Sequence, residues 1–118
     1  MTDLSIAVGT TGCGAVMTIG GDLDFHSAPR VRDALAVLHL EPGQLLVLDL
    51  TGLTFCDSSG ISILVSARNH THGLRADTVL AAVPAHVSRI LQTVGLDRIL
   101  SQYPDVPAAT ASWTAPGT

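Results

Sequence analysis

The first residues of the chain alternate between apolar and polar or small side chains. Leu4, Ile6 and Val8 are separated by Ser and Ala, which predicts a half-buried strand. Turn residues (Gly-Thr-Thr-Gly) occupy positions 9–12, and residues 13–19 resume a strand-like apolar pattern. Two strand patterns joined by a short glycine-containing loop indicate a β-hairpin.

The remainder of the chain alternates between helical and strand patterns. Helices are predicted after Ser27, Asp57 and Pro84, because apolar residues recur there at helical spacing. Residues 45–48 are a continuous apolar run, typical of a strand that is covered on both faces, and residues 78–83 form another strand pattern. This order predicts an α/β sandwich with helices on one face of a mixed sheet.

The last residues differ in composition from the rest. A short final strand is predicted within residues 99–106, but residues 104–118 are rich in Pro, Ala and Thr without a periodic apolar face. We therefore expect one domain, residues 1–103, followed by a flexible tail, residues 104–118. Trp113 within this tail either packs back on the domain, contacts a partner or belongs to an added extension.

Composition and charge exclude several classes of function. No apolar run approaches the ~18 residues of a membrane span, and the N-terminus lacks the basic flank of a secretory signal, so we expect a cytoplasmic protein that does not bind membranes. Six Arg, no Lys and ten acidic residues give a formal net charge of -4. Nucleic-acid binding requires clustered cations or aromatic stacking platforms, so we also expect no nucleic-acid partner.

Motifs typical of catalysis or metal binding are not found in the sequence. Ser58 lies outside a GxSxG motif, and the glycines within residues 9–14 form neither a P-loop nor a dinucleotide-binding motif. The His-Thr-His stretch at 70–72 does not have the spacing of zinc ligands. Cys13 and Cys56 are interpreted as reduced, buried thiols. We expect no enzymatic activity, no cofactor and no metal site.

Residues 57–60 (Asp-Ser-Ser-Gly) are the segment most informative about function. They stand at the start of a predicted helix, where backbone N–H groups and the helix dipole favour negative charge, so a phosphate on Ser58 is locally tolerated. That phosphate would add about -1.5 to -2 charge beside Asp57, and the surface becomes strongly acidic if Asp22 and Asp24 lie nearby. A partner fitted to a neutral hydroxyl would be repelled. The same residues also fit a simpler interpretation, in which Asp and Ser cap the helix and Gly permits close packing.

Three motifs together resemble the STAS domain family, and within it the stand-alone anti-sigma factor antagonists of bacteria. They are GDLD at 21–24, LDLTGLTFCDSSG at 48–60 and ILQTVGLD at 90–97, and the resemblance covers residues 4–103. It implies a STAS-like sandwich with a mixed sheet of four to five strands and three to four helices.

The resemblance also implies a function. Such proteins bind an anti-sigma factor that is also a serine kinase, and thereby free a sigma factor. The kinase phosphorylates the serine that matches Ser58, with Ser59 as the alternative acceptor, and a PP2C-type phosphatase restores binding. The implied partner-binding residues are Asp22, Asp24, Asp57, Ser58, Ser59 and Gly60. We expect the contact surface to consist of residues 22–27, residues 57–60 and the exposed face of the helix that follows.

Two other functions stay open at this point. The chain could be a STAS scaffold subunit of a larger regulatory assembly that is not switched by phosphate. It could also be a small-ligand-binding module, because the start of the same helix can hold an anion. A large assembly on sizing would favour the scaffold, whereas a complex with one kinase would favour the switch.

Overall fold

One mixed sheet organises the computed structural model, which describes residues 3–113. The described part contains six strands: β1 (Ser5–Thr11), β2 (Gly14–Leu23), β3 (Leu45–Asp49), β4 (Leu53–Cys56), β5 (Asp77–Ala81) and β6 (Gln102–Tyr103). The order across the sheet is β1-β2-β3-β5-β6, with β4 paired to the carboxyl end of β2. β1 and β2 form the predicted antiparallel hairpin, and the other pairs are parallel. Its turn lies at residues 12–13 rather than 9–12, because residues 9–11 pair with residues 14–16 of β2 and extend the strand.

Within residues 3–113, four α-helices cover the two faces of this sheet unequally. They are α1 (Ala28–Ala36), α2 (Ser58–Gly73), α3 (Ala85–Thr93) and α4 (Val106–Ala111). The first three share a core with Leu48 and Leu80, whereas α4 packs with Val47 and Val79. Neighbouring residues of a strand point to opposite faces, so α4 lies on the face opposite the other helices. The predicted α/β fold class is confirmed, with six strands rather than four to five. The prediction of helices on one face is wrong, because the apolar residue Ala109 packs α4 on the opposite face.

β3 lies at the centre of the sheet, between β2 and β5. Its residues Leu46, Val47 and Leu48 are fully buried, because helices cover both faces of the sheet at this strand. This burial explains why the strand has no polar alternation and confirms the interpretation of residues 45–48.

The prediction of a flexible tail is wrong for residues 104–113. Asp105 caps α4 by accepting a hydrogen bond from the Ala108 N–H at 2.8 Å, and Ala109 is fully buried against the sheet. The Trp113 indole N–H donates to the Gly43 carbonyl at 2.8 Å, so this side chain packs back on the domain. A six-residue helix is too short to show a periodic apolar face. Residues 114–118 of the predicted tail lie outside the described residues.

Both cysteines are buried and free, as predicted. Within residues 3–113, no helix combines the length and the apolar character that a membrane crossing requires.

Candidate functional site

The carboxyl ends of β2 and β4 meet at one edge of the sheet. The parallel register places Asp22 opposite Phe55 and Leu23 opposite Cys56. Immediately beyond them, the Asp57 N–H donates to the Leu23 carbonyl at 3.3 Å. The structure thus brings the segment that contains Asp22 and Asp24 against the start of α2, and we call Asp22, Asp24 and Asp57 the acidic rim.

Asp57 fixes the start of α2. Its Oδ1 accepts a hydrogen bond from the Gly60 N–H at 3.0 Å, and its carbonyl accepts one from the Ile61 N–H at 3.0 Å. Ser58 follows as the first helical residue and is exposed, whereas Ser59 is half-buried. The cap predicted from the sequence therefore coexists with an exposed hydroxyl on the next residue.

Gly60 contributes to this site from below the surface. It is buried, and a Cβ at this position would lie 2.6 Å from the Leu23 carbonyl oxygen and 2.6 Å from the Cys56 sulfur. Only glycine lets the first turn of α2 approach the ends of β2 and β4 this closely. The expected role of Gly60 in close packing is therefore seen, and it holds Ser58 against the acidic rim.

A hydrogen-bonded turn connects β2 to α1. Asp24 Oδ1 accepts hydrogen bonds from the backbone N–H groups of His26 and Ser27, each at 3.0 Å. The Ser27 hydroxyl accepts from the Asp24 N–H at 2.9 Å and lies 2.8 Å from the Asp22 carbonyl, to which it donates. Ser27 occupies the N-cap position of α1 as predicted, but its side chain bonds back to the turn rather than to the helix.

The hydrogen bonds of this turn set the charge of Asp24. The Ser27 backbone N–H is the largest cause that lowers the pKa of the Asp24 carboxyl below its ordinary value. The Ser27 hydroxyl, the His26 N–H and the charge of His26 lower it further, against a partial burial that raises it. Asp24 therefore remains ionised at neutral pH and keeps its charge in moderately acidic solution.

Other carboxylates and one guanidinium surround Asp22. Its Oδ1 accepts a hydrogen bond from the Thr54 hydroxyl at 2.8 Å. Asp22 and Asp24 line a cleft of about 190 Å³ together with Asp3 and Arg30. The Arg30 guanidinium donates to the Leu4 carbonyl at 2.7 Å. Carboxylates outnumber guanidinium groups in this cleft, so the surface at the carboxyl end of β2 is acidic.

A groove of about 530 Å³ between α1 and α2 opens beside this rim. Its lining residues are Phe25, His26, Ala28, Pro29, Arg32, Ser59, Ser62, Ile63 and Ser66. Phe25 lies within the predicted contact segment, residues 22–27, whereas Arg32 was not among the residues predicted from the sequence. A large apolar side chain between two polar residues, directly after a strand, was the available signal for Phe25.

The comparisons with known proteins match nearly the whole chain. Residues 6–109 match the STAS domain family. The anti-sigma-B factor antagonist of Listeria monocytogenes is 29% identical over 82 residues, which are 70% of this chain and 72% of that protein.

Solved structures have the same fold. An anti-sigma factor antagonist from Mycobacterium paratuberculosis is 26% identical with a TM-score of 0.77, over 92% of this chain and 93% of that one. The Bacillus cell fate determinant SpoIIAA in its phosphorylated form is 16% identical with a TM-score of 0.68, over 91% of this chain and 98% of that one. These structures share the fold, and the family match over residues 6–109 establishes that the chain belongs to the STAS domain family.

Proposed function

We propose that this chain is an anti-sigma factor antagonist that is switched by phosphorylation of Ser58. In its unphosphorylated form it binds an anti-sigma factor that is also a serine kinase, and a sigma factor is released. Phosphorylation by that kinase ends the interaction, and a PP2C-type phosphatase restores it. The chain itself is a regulatory domain and not an enzyme, in agreement with the antagonists to which it is similar.

The observation that carries the proposal is the exposed hydroxyl of Ser58 at the start of α2, beside the acidic rim. α2 has 16 residues, and the positive end of its dipole faces a phosphate at this position. The fold can therefore accept the modification. The same phosphate repels the partner, because it adds about -1.5 to -2 charge to a surface that already holds three carboxylates.

Ser58 is a better acceptor than the adjacent Ser59. Ser58 is exposed, whereas Ser59 is half-buried in the wall of the groove between α1 and α2. A kinase must hold the acceptor hydroxyl in line with the transferred phosphoryl group, which requires access from solvent. This difference in exposure supports Ser58 as the acceptor, which is the residue that the resemblance implies.

The location follows from the proposed partners. Bacterial sigma factors and their regulators meet in the cytoplasm, so we assign the chain to that compartment. Its partners are proteins, and neither nucleic acid nor membrane is part of the proposed mechanism.

The test is capture of partners from native lysate with the wild-type chain, Ser58→Ala and Ser58→Glu as baits, followed by mass spectrometry. We expect wild type and Ser58→Ala to retain one serine kinase that Ser58→Glu loses, because the added charge repels it. Purified kinase with labelled ATP should then modify wild type and Ser59→Ala but not Ser58→Ala. Equal capture by all three baits, or label on Ser59, would contradict the proposed switch. If the equally captured proteins form a large assembly, the result would support the alternative function of a STAS scaffold subunit.

A further inference from the structure

Phe25 is an aromatic residue on the surface of the turn between β2 and α1. It is 73% exposed, and its ring meets His26 edge-on with the centroids 5.8 Å apart. A Phe side chain left in water forgoes the stabilisation that burial of its apolar surface would give. Phe25 also borders the groove between α1 and α2, together with the exposed Pro29, and the largely buried Ile63 lines the same groove.

The backbone on both sides of Phe25 is held in place. Asp24 Oδ1 accepts from the next two N–H groups after Phe25, and the Ala28 N–H donates to the Asp24 carbonyl at 2.8 Å. The aromatic ring is thus presented by a turn that is already ordered in the unbound chain. Binding through such a residue loses little conformational entropy, which favours affinity.

The groove beside Phe25 is large enough to accept side chains of a partner. Its volume of about 530 Å³ lies within the ~300–1,000 Å³ range of pockets that bind drug-sized ligands. Phe25, Pro29 and Ile63 supply apolar walls, and Arg32 supplies a positive charge. The groove begins at Ser59, one residue from the proposed phosphorylation site.

We infer that Phe25 and this groove form the apolar half of the partner-binding surface, next to the acidic half that carries the switch. The occupant is the anti-sigma kinase of the proposed function, on which this inference rests. Its matching surface has an apolar pocket for Phe25, an apolar side chain that enters the groove, an acidic group that faces Arg32, and basic groups that face the acidic rim. Phe25 and Arg32 determine which kinase is recognised, whereas Ser58 determines when.

The experiment is calorimetric titration of the kinase recovered by the Ser58→Ala bait, after purification, into wild type, Phe25→Ala and Arg32→Glu. Val37→Ala is the matched control, because Val37 is 85% exposed and follows α1 outside the groove. Loss of an aromatic anchor costs about 2 kcal/mol or more, so Phe25→Ala should raise Kd about 30-fold or more. Arg32→Glu should also raise Kd, and Val37→Ala should leave it within about twofold, consistent with the ~0.5 kcal/mol scale of neutral surface changes.

The results of this experiment distinguish a failure of this inference from a failure of the proposed function on which it rests. Thermal unfolding of Phe25→Ala should match wild type, since the ring is largely outside the core. Equal Kd values for wild type and Phe25→Ala, or an equal loss in Val37→Ala, would overturn the inference and leave the Ser58 switch intact. If no serine kinase binds the wild-type chain, the proposed function fails and this inference fails with it.

Discussion

Asp57 and Cys56 are adjacent residues with opposite environments at the same edge of the sheet. The Asp57 carboxylate is partly exposed and accepts the Gly60 N–H, whereas the Cys56 side chain is 5% exposed. Burial, with the charge of Asp57 as a second cause, raises the pKa of the Cys56 thiol to about 12. One residue therefore serves as a charged cap while its neighbour serves as an uncharged core residue.

The raised pKa predicts that Cys56 is chemically inert in the folded chain. At pH 8 its thiolate fraction should be about 1,000-fold below that of a thiol at the ordinary value of 9.0, and alkylation requires the thiolate. Iodoacetamide labelling followed by peptide mass spectrometry should show no modified Cys56 in the native chain and complete modification in urea. Rapid labelling of native Cys56 would show that the thiol is neither buried nor protonated as the structure has it.

The raised pKa of Cys56 also makes the stability of the folded chain depend on pH. Because the folded-state pKa is the higher one, the contribution of the protonated thiol is fully present below about pH 9, the unfolded value. It is lost as the pH rises from there toward about 12. Neutral and mildly alkaline solutions therefore leave this part of the core unaffected.

At the scale of elements, the first turn of α2 depends on how closely the helix approaches β2 and β4. Asp57 caps the helix, and the missing side chain of Gly60 permits the contact with the Leu23 carbonyl. The cap could form in an isolated helix, but the close approach exists only when the two strands lie beneath it. Ser58 is positioned by this packing.

Substitution of Gly60 tests that dependence. In Gly60→Ala the new Cβ would meet the Leu23 oxygen and the Cys56 sulfur at 2.6 Å, so we expect the free energy of unfolding to fall by about 1–3 kcal/mol. Urea denaturation measures the change. Gly73→Ala is the matched control at the other end of α2, where nothing lies within 4 Å of a new Cβ.

The control should be neutral or stabilising, because alanine has the higher helix propensity, by about 0.5–1 kcal/mol in a helix interior. If the two glycine variants behave alike, the close contact beneath Ser58 does not exist in solution. Because the contact lies under the proposed switch, Gly60→Ala should also slow phosphorylation of Ser58 more than Gly73→Ala does.

At the scale of the whole molecule, the sheet separates two apolar clusters of unequal size. Helices α1, α2 and α3 cover the larger cluster, and α4 covers the smaller one, which includes Leu45 and Ala81. Ala109 is the fully buried residue through which α4 contacts this face, and the Trp113 hydrogen bond to Gly43 fixes the end of the segment. The described C-terminal segment is therefore part of the folded domain.

A charge at position 109 tests the role of α4. Ala109→Asp places a carboxylate against the apolar face, so we expect the free energy of unfolding to fall by about 3 kcal/mol. Emission of Trp113, the single tryptophan of the chain, should shift toward that of a solvated indole as the helix detaches. Ala111→Asp is the control, because Ala111 is exposed on the same helix. Unchanged stability and emission in Ala109→Asp would contradict the packing of α4.

The sequence by itself determined the elements whose signal is local. Periodic apolar residues specified α1, α2 and α3, and unbroken apolar character specified β3. Two strand patterns in sequence specified the hairpin, although its turn lies at residues 12–13 rather than 9–12. The start of α2 at Asp57 was also local, since a cap acts within three residues of itself. These features were predictable because the signal for each, the spacing of apolar residues or a nearby capping side chain, lies within a short stretch of the chain.

Only the tertiary structure decided how those elements combine into a site. β4 has four residues in which the two ends are buried and the middle two exposed, so it has no alternation to detect. Its parallel pairing with β2 joins Asp22 to Thr54 across 32 positions and so creates the acidic rim beside Ser58. The exposure of Phe25, the groove along α2 and the docking of α4 likewise depend on packing between segments distant in sequence. Such contacts leave no periodic pattern in the sequence of either segment, because each segment packs against a surface that a distant part of the chain supplies.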